Sequence, residues 1–173
     1  MSVVGGREVD RTAALIRHLA ARGLTVAVAE SLTGGLLAAE LIRPAGASAV
    51  VSGGVIAYAT AVKGSLLGVD TRLLAEHGAV YPVVAEQMAA GVRRVLSVDG
   101  HEPDIGIATT GVAGPDSQDG KRPGTVFLGL SMAGGTRSIG LTLSGDRDTV
   151  RRDTVTAAVD YLIGITGAVT GGS

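Results

Sequence analysis

The segment LTVAVAE, residues 24 to 30, carries almost nothing polar until its last residue. A strand with one wet face alternates apolar and polar side chains, whereas a strand buried on both faces reads as a near-continuous run of Val, Ala and Leu. This stretch needs cover on both sides, and the rest of the chain must supply helices to provide it. Those helices are legible. EVDRTAALIRHLAARG (8 to 23) sets Val9, Ala13, Ile16, Leu19 and Ala20 at helical spacing and stops at Gly23. Thr33 to Ile42 predicts a second helix ended by Pro44, and TAVKGSLLGV and TRLLAEHG read as two short ones. PVVAEQMAAGVRRVLS (82 to 97) opens on a Pro suited to a first turn, and carries Val84, Met88, Val92 and Val95 on one side. DRDTVRRDTVTAAVDYLIGIT supplies a long last helix with Val150, Val155, Ala158 and Leu162 as core candidates, and with Asp146 and Asp148 where acids meet the positive helix end.

Between the helices lie further strand candidates. AVVSGGVIAY (49 to 58) is interrupted by Gly53 and Gly54, which predicts a bulge or a close approach of backbone. DIGIATTGVAGP (104 to 115) is a strand running into a Gly-containing loop that SQDGKRPG continues. GTVFLGLSM and the stretch around TRSIGLTLSG meet near Gly134 and Gly135 as a hairpin. Strands alternate with helices in the first two thirds, so the expected fold class is α/β: a three-layer α/β/α sandwich on a mixed, mainly parallel sheet of about five strands. With 173 residues, 46% of them hydrophobic, the chain is expected to form a single domain over 1–173, with a core at about 8–166 and a flexible Gly-rich tail at 167–173.

Composition narrows the function. A formal net charge of -1 gives no field to gather nucleic acid or an anionic membrane. There is no cysteine, and His18, His77 and His101 lie far apart, so neither a disulfide framework nor a metal site is expected, and no cofactor is implied. The N-terminus lacks a signal-peptide layout and no apolar run approaches the ~20 residues that span a bilayer, so a cytoplasmic protein is expected.

In open α/β sheets ligands bind beyond the carboxyl ends of the strands, and three predicted ends are rich in small or polar residues. They are Glu30 to Gly35, Gly53 to Lys63, and Thr109 to Pro115. In the first, Ser31 or Thr33 reads as a helix N-cap on local rules. The positions three residues on are Gly34 and Leu36, however, so no capping box supports that reading. Two glycines in a first turn also weaken a helix by roughly 1 kcal/mol each relative to Ala, a cost that makes sense where backbone lies against a ligand. A serine attacks only when a base takes its proton. Lys63, one of only two lysines, sits in the apolar YATAVKGSLL, where desolvation lowers its pKa toward a neutral amine; taken alone, that segment also fits a lysine whose stem snorkels to water. Tyr58 is placed to pass a proton or donate to an oxyanion, or merely to pack. Neither GxxxxGK[ST] nor GxGxxG occurs, and TTGVAGP is a weak hint of a backbone anion nest. Among Lys121, Arg122, Arg147, Arg151 and Arg152, Arg147 is the preferred phosphate partner because it opens a helix after a strand.

AESLTGG, GGVIAYATAVKGSLLGV, HGAVYPVVAEQMA, TTGVAGP, KRPGTVFLGL and the GDR before the final helix occur in the order seen in the CinA C-terminal domain family, the nicotinamide mononucleotide deamidases, which the chain resembles from about residue 8 to 166. The resemblance implies an α/β/α sandwich and hydrolysis of the carboxamide of nicotinamide mononucleotide to the acid with release of ammonia, feeding pyridine nucleotide salvage without a metal. It implies Ser31 as nucleophile, Lys63 as base and Tyr58 between them. It further implies that Thr33, Gly34, Gly35, Gly54, Thr110, Gly111, Ala113, Gly114 and Arg147 lie in segments lining the nucleotide site. Many relatives carry an extra N-terminal domain, and this chain resembles the stand-alone form. A bacterial homodimer or higher homo-oligomer is expected, with a small-molecule nucleotide as its partner and neither nucleic acid nor membrane. The chain departs from the family at Leu32 (commonly Cys), at Ala59 and Thr60 (Ser-Asn), and at Tyr81 (Ser). Those departures motivate two other readings: a nucleotide-binding or competence-associated module that keeps the pocket without turnover, and an amidase for a different carboxamide.

Overall fold

A computed structural model describes residues 9 to 168; residues 169 to 173 of the expected flexible tail lie outside them. Five strands form one sheet in the order β2-β1-β3-β4-β5: β1 Val26–Glu30, β2 Val51–Ile56, β3 Ile105–Gly111, β4 Thr125–Met132 and β5 Gly135–Thr142. The helices are α1 Arg11–Ala21, α2 Leu36–Ile42, α3 Thr60–Ser65, α4 Thr71–His77, α5 Pro82–Val95 and α6 Arg147–Thr166. Among the described residues no helix is long and apolar enough to cross a membrane.

All five residues of β1 are buried, as LTVAVAE requires, and alternation along it separates two cores. Val26 and Val28 join Ile105, Ile107, Val126 and Leu128 beneath α1, α2 and α6, in a core with Leu15, Leu37, Val150 and Leu162. Ala27, Ala29 and Ala108 face the other way, toward Leu74 of α4 and Val84, Met88 and Val92 of α5. The bulky face thus carries three helices, and the small-residue face lets α5 lie close to the sheet. Its closeness is fixed by Gly106 and Gly129: a Cβ on either would overlap a carbonyl oxygen of α5, that of Ala89 or Ala85.

The expected sandwich is there, with one adjustment. β1 pairs parallel with β2 and β3, but β3–β4 and β4–β5 are antiparallel, so the sheet is evenly mixed instead of mainly parallel. The cause is the β3–β4 connection, residues 112 to 124. It contains no helix to carry the chain back across the sheet, and it turns tightly through the paired Gln118 and Lys121. In β2 the register shifts by one residue, from Val26↔Val51 to Ala27↔Gly53, so the predicted irregularity is a bulge at Ser52.

This topology sets the site. Glu30 is level with Ile56 and Thr109, so three parallel strands end together. β4 begins, and β5 ends, at the same edge (Thr125↔Thr142), which delivers the start of α6 there as well.

Candidate active site

Beyond that edge lies a cleft of about 190 Å³. Ser31 and Leu32 line it after β1, Tyr58 and Lys63 after β2, Thr110 to Gly114 at and beyond the end of β3, and Arg147 from α6. Lys63 is only 1% exposed and Ser31 8%. The Lys63 Nζ lies 3.0 Å from Ser31 Oγ, 2.6 Å from the Ala57 carbonyl oxygen and 3.4 Å from that of Tyr58. Three partners suit an ammonium that donates to all of them, and equally a neutral amine that gives two N–H bonds to the carbonyls and keeps its lone pair for the Ser31 hydroxyl. Burial favours the neutral form, because desolvation pushes the Lys63 ammonium down from its ordinary 10.5 to about 8.

Ser31 does not cap the following helix, and neither does Thr33. The chain turns through residues 31 to 35, with Gly34 and Gly35 at φ of 58° and 102°, before α2 begins at Leu36. Left-handed backbone is where glycine is tolerated without strain, and the pair delays the helix by three residues relative to the sequence expectation. The cap comes from upstream. Glu30, 1% exposed, turns its carboxylate onto the backbone N–H groups of Gly35 (3.0 Å), Leu37 (3.0 Å) and Ala38 (2.8 Å). Gly34 N–H donates to the Ser31 carbonyl at 3.2 Å. The amides of Gly34 and Gly35, expected to lie against a ligand, are therefore occupied by the protein itself. Leu32, Ala113 and Gly114 line the cleft, and their N–H groups meet no acceptor among the described residues.

Other expected site residues divide cleanly. Thr110, Gly111, Ala113, Gly114 and Arg147 line the cleft. The Thr110 hydroxyl is spent on the Ala79 carbonyl (2.7 Å), so it holds the wall in place. Arg147 donates to the Gly114 carbonyl at 2.8 Å and to the Tyr58 hydroxyl at 3.0 Å. The Tyr58 side chain thus stands at the mouth, 61% exposed, and only its carbonyl meets Lys63. A relay through its hydroxyl is not the arrangement, since serine and lysine touch directly. Thr33 is wholly buried and pairs its hydroxyl with that of Thr109 at 2.8 Å. Gly54 packs against α2, where a Cβ would lie 3.2 Å from that of Ala38. Thr33, Gly34, Gly35 and Gly54 support the floor and stand outside the cleft.

Asp116, Gln118 and Glu30 carry no individual role in the sequence reading, and Arg151 enters it only as one of five candidate phosphate partners. Asp116 and Gln118 line the mouth from the β3–β4 loop. Glu30 and Arg151 hold the serine turn from behind, Arg151 by donating to the carbonyls of Leu32 (2.9 Å) and Thr33 (3.2 Å). The signal for Glu30 was its position, an acid at the end of an apolar strand just before a helix start. Lys121 bonds the His77 carbonyl, and Arg152 pairs with Asp148, so neither is directed at the cleft.

The model of the CinA C-terminal domain matches residues 9–166. A CinA-like protein of Frankia casuarinae is 46% identical over 160 residues, covering 92% of this chain and 36% of that protein. The chain spans about a third of the length of the curated relatives it matches. Among solved structures, a competence-damaged protein (CinA) superfamily protein of Klebsiella pneumoniae superposes with a TM-score of 0.85 at 31% identity, covering 94% of this chain and 99% of the other. A competence/damage inducible protein of Agrobacterium tumefaciens gives 0.83 at 33% identity, with 95% and 99% covered.

Proposed function

The chain belongs to the CinA C-terminal domain family, and on that premise we propose that it is an amidohydrolase converting nicotinamide mononucleotide to nicotinic acid mononucleotide and ammonia. The observation that carries the reading is a buried amine, pushed down to about 8, 3.0 Å from a serine hydroxyl at the floor of a cleft.

In the proposed sequence, Lys63 takes the Ser31 proton as Oγ attacks the carboxamide carbon. The negative charge that forms on the carbonyl oxygen is met by the N–H of Leu32, the residue after the nucleophile, and by those of the Ala113 and Gly114 wall opposite. Lys63 returns the proton to the amide nitrogen, the C–N bond breaks and ammonia leaves, with Ser31 esterified. Water then attacks the ester, giving a proton to Lys63, which passes it to Ser31 as the acid departs. Among the described residues Arg147 gives two of its donors to protein acceptors, which leaves its guanidinium able to take the phosphate.

The test is ammonia release by the purified protein. Activity is expected to disappear in Ser31→Ala, and kcat/KM should rise with pH toward a plateau with a midpoint near 8, since only about one molecule in ten has the neutral amine at pH 7. Undiminished release by Ser31→Ala would overturn the assignment. The module reading draws on Tyr81, whose ring stacks on His77 at 4.2 Å beside Ala79 and Val80 of the cleft wall; it predicts calorimetric binding of the mononucleotide with no ammonia. Faster turnover of another carboxamide would redirect the substrate assignment.

A further inference from the structure

The first turns of α6 are tied to all three strand-end segments that build the cleft. Arg147 reaches the Gly114 carbonyl and the Tyr58 hydroxyl. One helical turn later Arg151, half-buried, reaches the serine turn, 119 residues away in sequence. Its Nε donates to the Leu32 carbonyl and its Nη2 to the Thr33 carbonyl, and it lies 3.5 Å from where a Cβ on Gly34 would stand. Arg151 does not line the cleft, and both of its bonds go to the serine turn.

We propose that Arg151 is a positioning residue for the nucleophile, fixing which way the peptide groups of the serine turn face. In a trans peptide the N–H points opposite to the carbonyl. Gly34 N–H holds the Ser31 carbonyl, so the Leu32 N–H is directed away from that bond. Arg151 holds the next two carbonyls outside the cleft, that of Thr33 together with the Leu36 N–H at 3.2 Å and that of Leu32 by its own Nε. Loss of Arg151 leaves Thr33 on the Leu36 N–H but frees the Leu32 carbonyl, so that this peptide group can rotate and bring its negative end toward the forming oxyanion, where repulsion replaces stabilisation. A turn bearing two glycines at positive φ has the freedom to do so. The cost falls on the transition state, in which the charge exists, and leaves the ground-state complex almost untouched.

The inference rests on the amidohydrolase reading, and the experiment keeps the two apart. Arg151→Met and Arg151→Lys are compared with the unmutated protein in ammonia release from nicotinamide mononucleotide, and in the rate at which a fluorophosphonate probe modifies Ser31. The probe forms a tetrahedral adduct that uses the same oxyanion donors whatever the natural substrate is. For Arg151→Met we expect kcat to fall ~10- to 100-fold with KM within about threefold, and phosphonylation to slow in parallel. Arg151→Lys, with a single donor group able to serve one carbonyl, is expected to fall between, and both should keep the kcat/KM midpoint near 8 because Lys63 is untouched. An unmutated protein that neither releases ammonia nor reacts with the probe would sink the amidohydrolase reading. Active unmutated protein with kcat and probe rate unchanged in Arg151→Met, or with the loss confined to KM, would overturn the positioning role alone. Should Arg151→Met fail to fold, the same criteria apply to Arg151→Lys.

Discussion

Lys63 makes a prediction that needs no substrate. Its side chain is 1% exposed, and burial lowers its pKa from 10.5 to about 8. That difference corresponds to roughly 3 kcal/mol between charged and neutral forms, an upper figure because the cleft admits water. The sign follows from proton binding. Between pH 8 and 10.5 the unfolded chain holds a proton that the folded one has lost, so unfolding free energy rises with pH across that window. The contribution is complete above 10.5 and is lost as pH falls through 8. In Lys63→Met this slope vanishes, while the loss of three hydrogen-bond partners adds an offset that does not depend on pH. Urea unfolding of both proteins from pH 7 to 10.5 isolates the term, since all other titrating groups are shared. The unmutated protein should gain up to ~3 kcal/mol on the variant over that range. A difference that stays flat, or runs the other way, would show that the amine is not desolvated and would remove the case for a neutral base.

Two further predictions concern the scaffold. Gly129→Ala sets a methyl into the Ala85 carbonyl, so α5 must lift from the sheet; a loss of about 1–3 kcal/mol is expected, or a Tm lower by roughly 3–10 °C, whereas Gly134→Ala, with nothing near its Cβ, should leave Tm within ~2 °C. At the start of α5, Tyr81 makes no side-chain capping bond but stacks on His77. Tyr81→Ser should gain a cap worth about 1 kcal/mol and lose a stack of about the same size, leaving stability nearly unchanged, yet in a His77→Ala background it should stabilise by ~1 kcal/mol.

What the sequence made legible was whatever depends on near neighbours. The buried strand, the six helices, the hairpin and the Ser31 and Lys63 pair all follow from periodicity, local chemistry and the order of motifs. Three features did not, for a common reason: each is decided by a partner far along the chain or by backbone handedness. The helix expected from the sequence extends back to Thr33, but two left-handed glycines hold it off until Leu36. The direction of β4 depends on what the β3–β4 loop does in space, and no periodicity reports that. Of the arginines, the one judged likeliest to reach a ligand, Arg147, does line the cleft, while Arg151 four residues later serves carbonyls 118 and 119 residues away.

The most exposing test of the site is Glu30, the residue beside the proposed nucleophile. A carboxylate facing Lys63 would stabilise the ammonium form and silence the base. Glu30 instead aims at the N-terminus of α2, where three N–H groups hold it, and burial is what lowers Lys63. Glu30→Gln replaces two acceptor oxygens by one and turns an NH2 toward a backbone donor. Breaking charge-assisted bonds in a buried place is expected to cost about 1–3 kcal/mol, seen as a lower urea midpoint with an unchanged m-value. If the capping geometry does isolate the charge from the base, the kcat/KM midpoint of this variant stays near 8 even as stability falls. A midpoint that drops by a unit or more would mean that the carboxylate had been supporting the ammonium all along, and that Lys63 owes its pKa to a balance of charge against burial instead of to burial alone.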